Sequence, residues 1–113
     1  MHRVRQDQLP FQGMSHQFIG ADQGGVGISA YFVEATPGRG TRLHRHPYDK
    51  VVIVRQGRAL WTVNGQDHEA GPGDIFVVKA GEIHSFLSIG DVPLTQLDIH
   101  LSARFVQEDL EPP

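Results

Sequence analysis

HRHPYDKVVIVRQG, residues 44–57, is the stretch on which the fold turns. Side chains at i and i+2 of an extended strand point the same way, so His44 and His46 present two imidazoles to one point in space. Pro47 ends the pair, and an apolar run over residues 51–54 closes on Gly57, as a strand does ahead of a turn. If extended geometry resumes after the proline, Lys50, Val52 and Val54 share the histidine face. A lone pair of histidines at this spacing arises by chance on many surfaces, so its meaning depends on what the rest of the chain supplies.

Outward from this stretch the chain alternates short β-prone runs with turn residues. RALWTV and QDHEA flank Asn64-Gly65, a dipeptide whose two residues tolerate the positive φ of a type I′ hairpin. IFVVK, IHSFLSI and LTQLDIHL follow, separated by AGPGD, AGE and GDVP, and upstream VGISAYFVEA, residues 26–35, is stopped by TPGRG. Asp74 is expected to pin its turn through nearby backbone N–H groups; the turn glycines need only a structural account. Residues 1–25 read as an N-terminal arm with an edge strand around residues 16–19, residues 26–101 as a β-barrel, and residues 102–113 as a C-terminal extension in which ARFVQEDL forms a short helix or turn. Seven or eight strands without a long helix predict one all-β domain, a sandwich or barrel. VVIV and IFVV are apolar at both parities and are expected to be buried on both faces, one lining the interior and the other packing on a second sheet or a partner subunit. A homodimer is the corresponding expectation.

The composition agrees. In 113 residues, 13 Gly and 7 Pro favour many turns, while 39% hydrophobic and 20% charged residues are those of an ordinary soluble globule with one modest core. A net charge of -3 gives no basic field for phosphate backbones, and only Arg39, Arg42 and Arg45 cluster, so nucleic acid is not an expected partner. With no cysteine there is neither a disulfide framework nor a thiolate metal site. The N-terminus lacks the apolar core of a signal peptide, and no run of about 18 apolar residues occurs, so a cytoplasmic protein without a membrane span is expected.

A third histidine, His84, opens the strand after the AGE turn, and three neutral imidazoles suffice for a metal site with open positions. Together these residues resemble the cupin superfamily. Its first motif is a glycine, five residues, HxH, three or four residues, Glu, six residues and Gly; Gly38, His44, His46 and Gly57 fall in register, with Lys50 in the glutamate place. In its second motif Gly73, Gly81 and His84 match, whereas Lys79 replaces a proline and Ser88 an asparagine. The resemblance spans residues 26–101. It implies a jelly-roll barrel (double-stranded β-helix), with His44, His46 and His84 as ligands of a divalent transition metal: iron, manganese, nickel, zinc or copper.

Lys50 complicates that implication, because a protonated amine repels a divalent cation and offers it no lone pair. Three outcomes stand open. The histidines hold metal while Lys50 turns aside or pairs with a carboxylate such as Asp98; a slipped register brings in Asp49; or the metal is absent and Lys50 serves an anionic ligand or acts as an amine of lowered basicity. Lysine most often simply snorkels to a barrel mouth. Gln96, Asp98 and His100 share one face of the last strand; a solvated outer face is the expected reading, with an inward one allowing His100 or Gln96 to join the metal and Asp98 to offset Lys50. Trp61, Phe76, Phe86 and Tyr48 are candidate pocket walls, Tyr48 the one expected near an entrance. His2, His16, His68 and Arg42 read as surface residues.

Two functions follow. The first is a small metal-binding protein, enzymatic in the manner of a dioxygenase, isomerase or lyase, acting on a small oxygenated molecule. The second is a binding or sensor module without metal, in which Lys50 attracts an anion; with no helix-turn-helix or other output domain expected, a regulatory role is the slightly weaker form of it.

Overall fold

The computed structural model describes residues 1–110. A 3-10 turn at Gln6–Gln8 precedes eleven strands: β1 (Phe11–Gln12), β2 (Ser15–Phe18), β3 (Ser29–Ala35), β4 (His44–Arg45), β5 (Lys50–Gln56), β6 (Arg58–Val63), β7 (Gln66–Ala70), β8 (Ile75–Val78), β9 (His84–Ile89), β10 (Leu94–His100) and β11 (Glu108–Asp109). They form two antiparallel sheets of order β1-β2-β3-β10-β5-β8 and β11-β4-β9-β6-β7. β-Branched and aromatic residues with period-two burial explain the long strands, and Val33, Val52, Val54, Trp61, Val78, Phe86 and Leu94 meet as the core. The all-β jelly-roll expectation is met.

The turns obey their sequence chemistry. Asn64 and Gly65 have φ of 49° and 80°, the signs that a type I′ turn requires between β6 and β7. Gly57, between β5 and β6, has φ 78°, and a Cβ there would stand 2.5 Å from the Pro93 carbonyl oxygen. Asp74 accepts the Gly71 N–H at 2.8 Å.

β10 is central to its sheet, pairing with β3 on one side and β5 on the other. Here one expectation is corrected: Gln96, Asp98 and His100 do not face solvent but point into the barrel, at 2%, 4% and 2% exposure. Alternation groups residues by parity without saying which parity faces in. The β5 register decides it, setting Asp98 opposite Val52 and His100 opposite Lys50 on the inner face. The apolar parity of β10 then joins an outer face with two cross-strand rows, Phe32-Leu97-Ile53-Ile75 and Ala30-Ile99-Val51-Val77. The expectation that IFVV is buried on both faces fails in the single chain, since Ile75 and Val77 are 66% and 53% exposed.

The end of the chain also departs from expectation. Residues 101–104 bend and β11 adds to β4 with Glu108 opposite Arg45, so no helix forms. Arg45 grips Glu108 through two N–H bonds of 2.9 and 3.1 Å. Residues 111–113 of the expected extension lie outside the described residues. Among the described residues no helix is long and apolar enough to cross a membrane.

Candidate metal centre

His44 on β4 and His84 on β9 are direct partners across the strand pair, and His46 follows two residues after His44. One ring nitrogen of each lies within 4.8 Å of the others. The corner that carries His46 is tied to the turn that carries His84. Asp49 accepts the Ala80 N–H at 2.9 Å and binds Lys79 Nζ at 2.8 Å, while the Gly81 N–H donates to the His46 carbonyl at 2.9 Å. These bonds hold the Asp49 carboxyl below its usual range, Lys79 first and Ala80 second. The slipped register that would have made Asp49 a ligand is therefore corrected: its carboxylate is spent on positioning.

The three rings share one hydrogen-bond pattern. His44 Nδ1 donates to the Arg42 carbonyl at 2.6 Å, His46 Nδ1 to the Val106 carbonyl at 2.7 Å and His84 Nδ1 to the Glu82 carbonyl at 2.8 Å. A carbonyl can only accept, so each neutral ring carries its proton on Nδ1 and keeps a lone pair on Nε2. His46 Nε2 and His84 Nε2 are buried and have no hydrogen-bond partner among the described residues. Burial first, with the Lys50 charge adding to it and the carbonyl bonds opposing it, lowers His46 to about 4 and His84 to about 3. His44 is also lowered, by burial first. At neutral pH the trio is three uncharged lone-pair donors converging on one point, a donor set that fits a borderline divalent transition metal.

Lys50 does not snorkel. It is 3% exposed, its Nζ lies 3.2 Å from Asp98 Oδ2, and it sits 5.0 Å from the centre of the Trp61 ring. Of the outcomes left open, this geometry is the pairing with Asp98. Burial raises the Asp98 carboxyl, with Lys50 and then the neighbouring Gln96 amide pulling the other way. Among the described residues, Asp98 Oδ1 and both amide atoms of Gln96 complete no hydrogen bond, the Gln96 amide standing near the carboxylate without reaching full hydrogen-bond geometry.

A cavity of about 180 Å³ opens on this group, with Met14, Tyr31, Val33, Phe86 and Phe105 as apolar walls and His44, His46, Lys50, Asp98 and His100 as polar ones. Phe86 is one of its walls. Trp61 lies behind Lys50 and stacks on His84, and with Phe76 lines a separate concavity of about 420 Å³ at the edges of β7 and β8, which contains none of the trio. Tyr48 backs the site rather than lining it: its ring stacks on His46, and its hydroxyl accepts the Val106 N–H at 3.3 Å and shares a hydrogen bond of 2.9 Å with His100 Nδ1. His100, lowered by burial, serves this hydrogen bond and stands outside the trio. His2 and His68 are exposed as expected, as is Arg42, whereas His16 is half-buried.

Sequence reasoning missed Phe105, which stacks on Tyr31 and packs against His46 and His100. It also missed the Val106 carbonyl. An isolated aromatic in the C-terminal stretch was the available signal for Phe105; a backbone carbonyl leaves none.

A family profile described as "Cupin domain" matches residues 31–100. The chain belongs to the cupin family. Among solved structures, this cupin resembles a conserved protein with a double-stranded β-helix domain from Klebsiella pneumoniae, at 20% identity over 97% of both chains with a TM-score of 0.76. It also resembles a variant of Bacillus subtilis oxalate decarboxylase, at 23% identity over 92% of this chain and 30% of that one, with a TM-score of 0.80. A cupin-like protein from Thermotoga maritima is 22% identical over 85% of this chain and 74% of that one, with a TM-score of 0.76. At such identities the likeness establishes the fold. Among curated proteins, the HTH-type transcriptional activator RhaS of Mannheimia succiniciproducens is 32% identical over 62 residues, and RhaR of Yersinia pseudotuberculosis 31% over 67. The chain spans 23% of the length of each.

Proposed function

We propose that this cupin holds one divalent transition metal on His44, His46 and His84 and acts on a small oxygenated molecule in the adjoining cavity. The observation that carries the reading is three rings with a ligand nitrogen each within 4.8 Å of the others, whose shared Nδ1–carbonyl bonds leave the lone pair on Nε2. When bound, such an ion supplies Lewis-acid polarisation of a substrate oxygen and, where it is redox-active, electron transfer. The chain's own part is positional. Backbone carbonyls fix the imidazoles, the walls formed by Tyr31, Phe86 and Phe105 shield the bound molecule from water, and Lys50 holds N–H donors beside the trio, steadied by Asp98. Metal analysis of protein purified without an affinity tag tests the reading. About one ion per chain, lost in His84→Ala while circular dichroism stays native, is the expected result; metal-free wild type after reconstitution refutes it.

A second reading, a barrel that senses a ligand without converting it, draws support from the local likeness to the activators RhaS and RhaR. Ligand recovered unchanged from metal-loaded protein, with single-turnover assays silent under aerobic and anaerobic conditions, favours that reading. The homodimer stands as a proposal on the outer face of the six-stranded sheet. Its two apolar rows contain no charged residue, so the face can meet a second copy of itself without repulsion. Ile75→Lys with Val77→Lys is expected to halve the mass seen by light scattering; an unchanged mass refutes that interface.

A further inference from the structure

Resting on the metal reading above, the charge and shape of the cavity narrow the class of molecule it takes. Three neutral imidazoles bring no negative charge to a divalent ion. The Lys50 and Asp98 charges cancel each other, at 3.2 Å and almost completely buried. A loaded site would therefore keep its full divalent charge in a buried surround that holds no net negative charge, and such a charge is costly unless an anion accompanies it. A glutamate at position 50 would have supplied that anion; Lys50 leaves the duty to the ligand.

The cavity also says what else the ligand carries. Asp98 lines it, and among the described residues Asp98 Oδ1 completes no hydrogen bond, so an O–H on the ligand would satisfy this acceptor. The Lys50 ammonium has three N–H bonds, of which Asp98 Oδ2 takes one, leaving donors for an anionic oxygen. Met14, Val33, Phe86 and Phe105 form the apolar part of the remaining wall, which Gln12, Ser15, Thr41 and Gln107 complete with polar groups. A volume of about 180 Å³ equals that of roughly six waters at ~30 Å³ each, which admits a molecule of only a few carbons. We infer that the cavity takes a small hydroxylated monocarboxylate, its carboxylate on the metal and Lys50, its hydroxyl toward Asp98 and its short carbon chain against the aromatic wall.

The test is calorimetric and needs no turnover. Zinc-loaded protein is titrated with 2-hydroxybutanoate, butanoate and 2-hydroxybutanamide, and metal content is measured on the same samples. The hydroxy acid is expected to bind about tenfold tighter than the amide and several-fold tighter than butanoate, tenfold corresponding to about 1.4 kcal/mol. Lys50→Glu with Asp98→Asn, which adds one negative charge without placing two carboxylates side by side, should retain zinc and lose about tenfold in affinity for the hydroxy acid. Lys50→Met with Asp98→Asn leaves the total charge unchanged and should fall between that variant and wild type, which separates charge from general damage to the cavity. Equal binding of acid and amide by zinc-loaded wild type, or undiminished acid binding by the Lys50→Glu pair, overturns the ligand class and leaves the metal site standing. Wild type that takes up no zinc overturns both.

Discussion

Asp98→Asn removes the charge that, among the described residues, pairs with a lysine that is almost wholly buried. At 3.2 Å and an effective dielectric constant of about 20, the attraction between unit charges is about 5 kcal/mol, and desolvation offsets part of it. Losing one partner of a buried pair costs about 3–5 kcal/mol, because the other charge stays behind in a medium that solvates it poorly. Domains of this size have about 5–15 kcal/mol of stability in total, so the substitution should consume much of it and lower Tm by roughly 10–25 °C. Lys50→Met with Asp98→Asn removes both charges and should recover most of that loss. The assay is urea denaturation of chelator-treated protein at pH 7, followed by the fluorescence of Trp61, the single tryptophan, whose ring lies 5.0 Å from the amine. Chelation keeps metal affinity out of the comparison. An Asp98→Asn variant within about 0.5 kcal/mol of wild type, or a double variant no more stable than the single one, would refute the claim that this ion pair neutralises the barrel interior.

Acid should destabilise the metal-free protein well before carboxylates titrate. His46 and His84 have folded values of about 4 and 3, below the ordinary 6.5, so the unfolded chain takes up protons first and stability present above pH 6.5 is lost as pH falls toward 4. Each of these two histidines contributes about 1.4 kcal/mol per pH unit in that window, and Asp98, whose raised carboxyl works in the opposite sense, offsets some of it; a flat urea midpoint between pH 6.5 and 4.5 contradicts this. Tyr48→Phe strands the Val106 N–H and His100 Nδ1, with an expected cost of about 1–3 kcal/mol in thermal unfolding, and no change would show that water replaces the hydroxyl. Gly57→Ala combines a positive φ with a Cβ 2.5 Å from the Pro93 carbonyl, and a loss of about 2 kcal/mol or more is expected by the same assay; an unaffected midpoint means the turn moves freely.

What the sequence by itself determined is whatever short-range periodicity controls. HxH places two rings on one side of a strand, Asn64-Gly65 fixes a hairpin, and the spaced Gly and Pro residues cut the chain into antiparallel strands. Local stereochemistry dictates each of these, and each survives in the fold. Which parity of a strand faces inward is a different kind of question. LTQLDIHL carries polar and apolar residues in strict alternation, and only its pairing between β3 and β5 turned Gln96, Asp98 and His100 toward the interior. The partner of Lys50, the engagement of Asp49 with the turn that carries His84, and the Val106 carbonyl that orients His46 from 60 residues away all depend on contacts between distant segments. Such contacts are set by the free energy of the whole packed barrel, to which no local window of sequence has access.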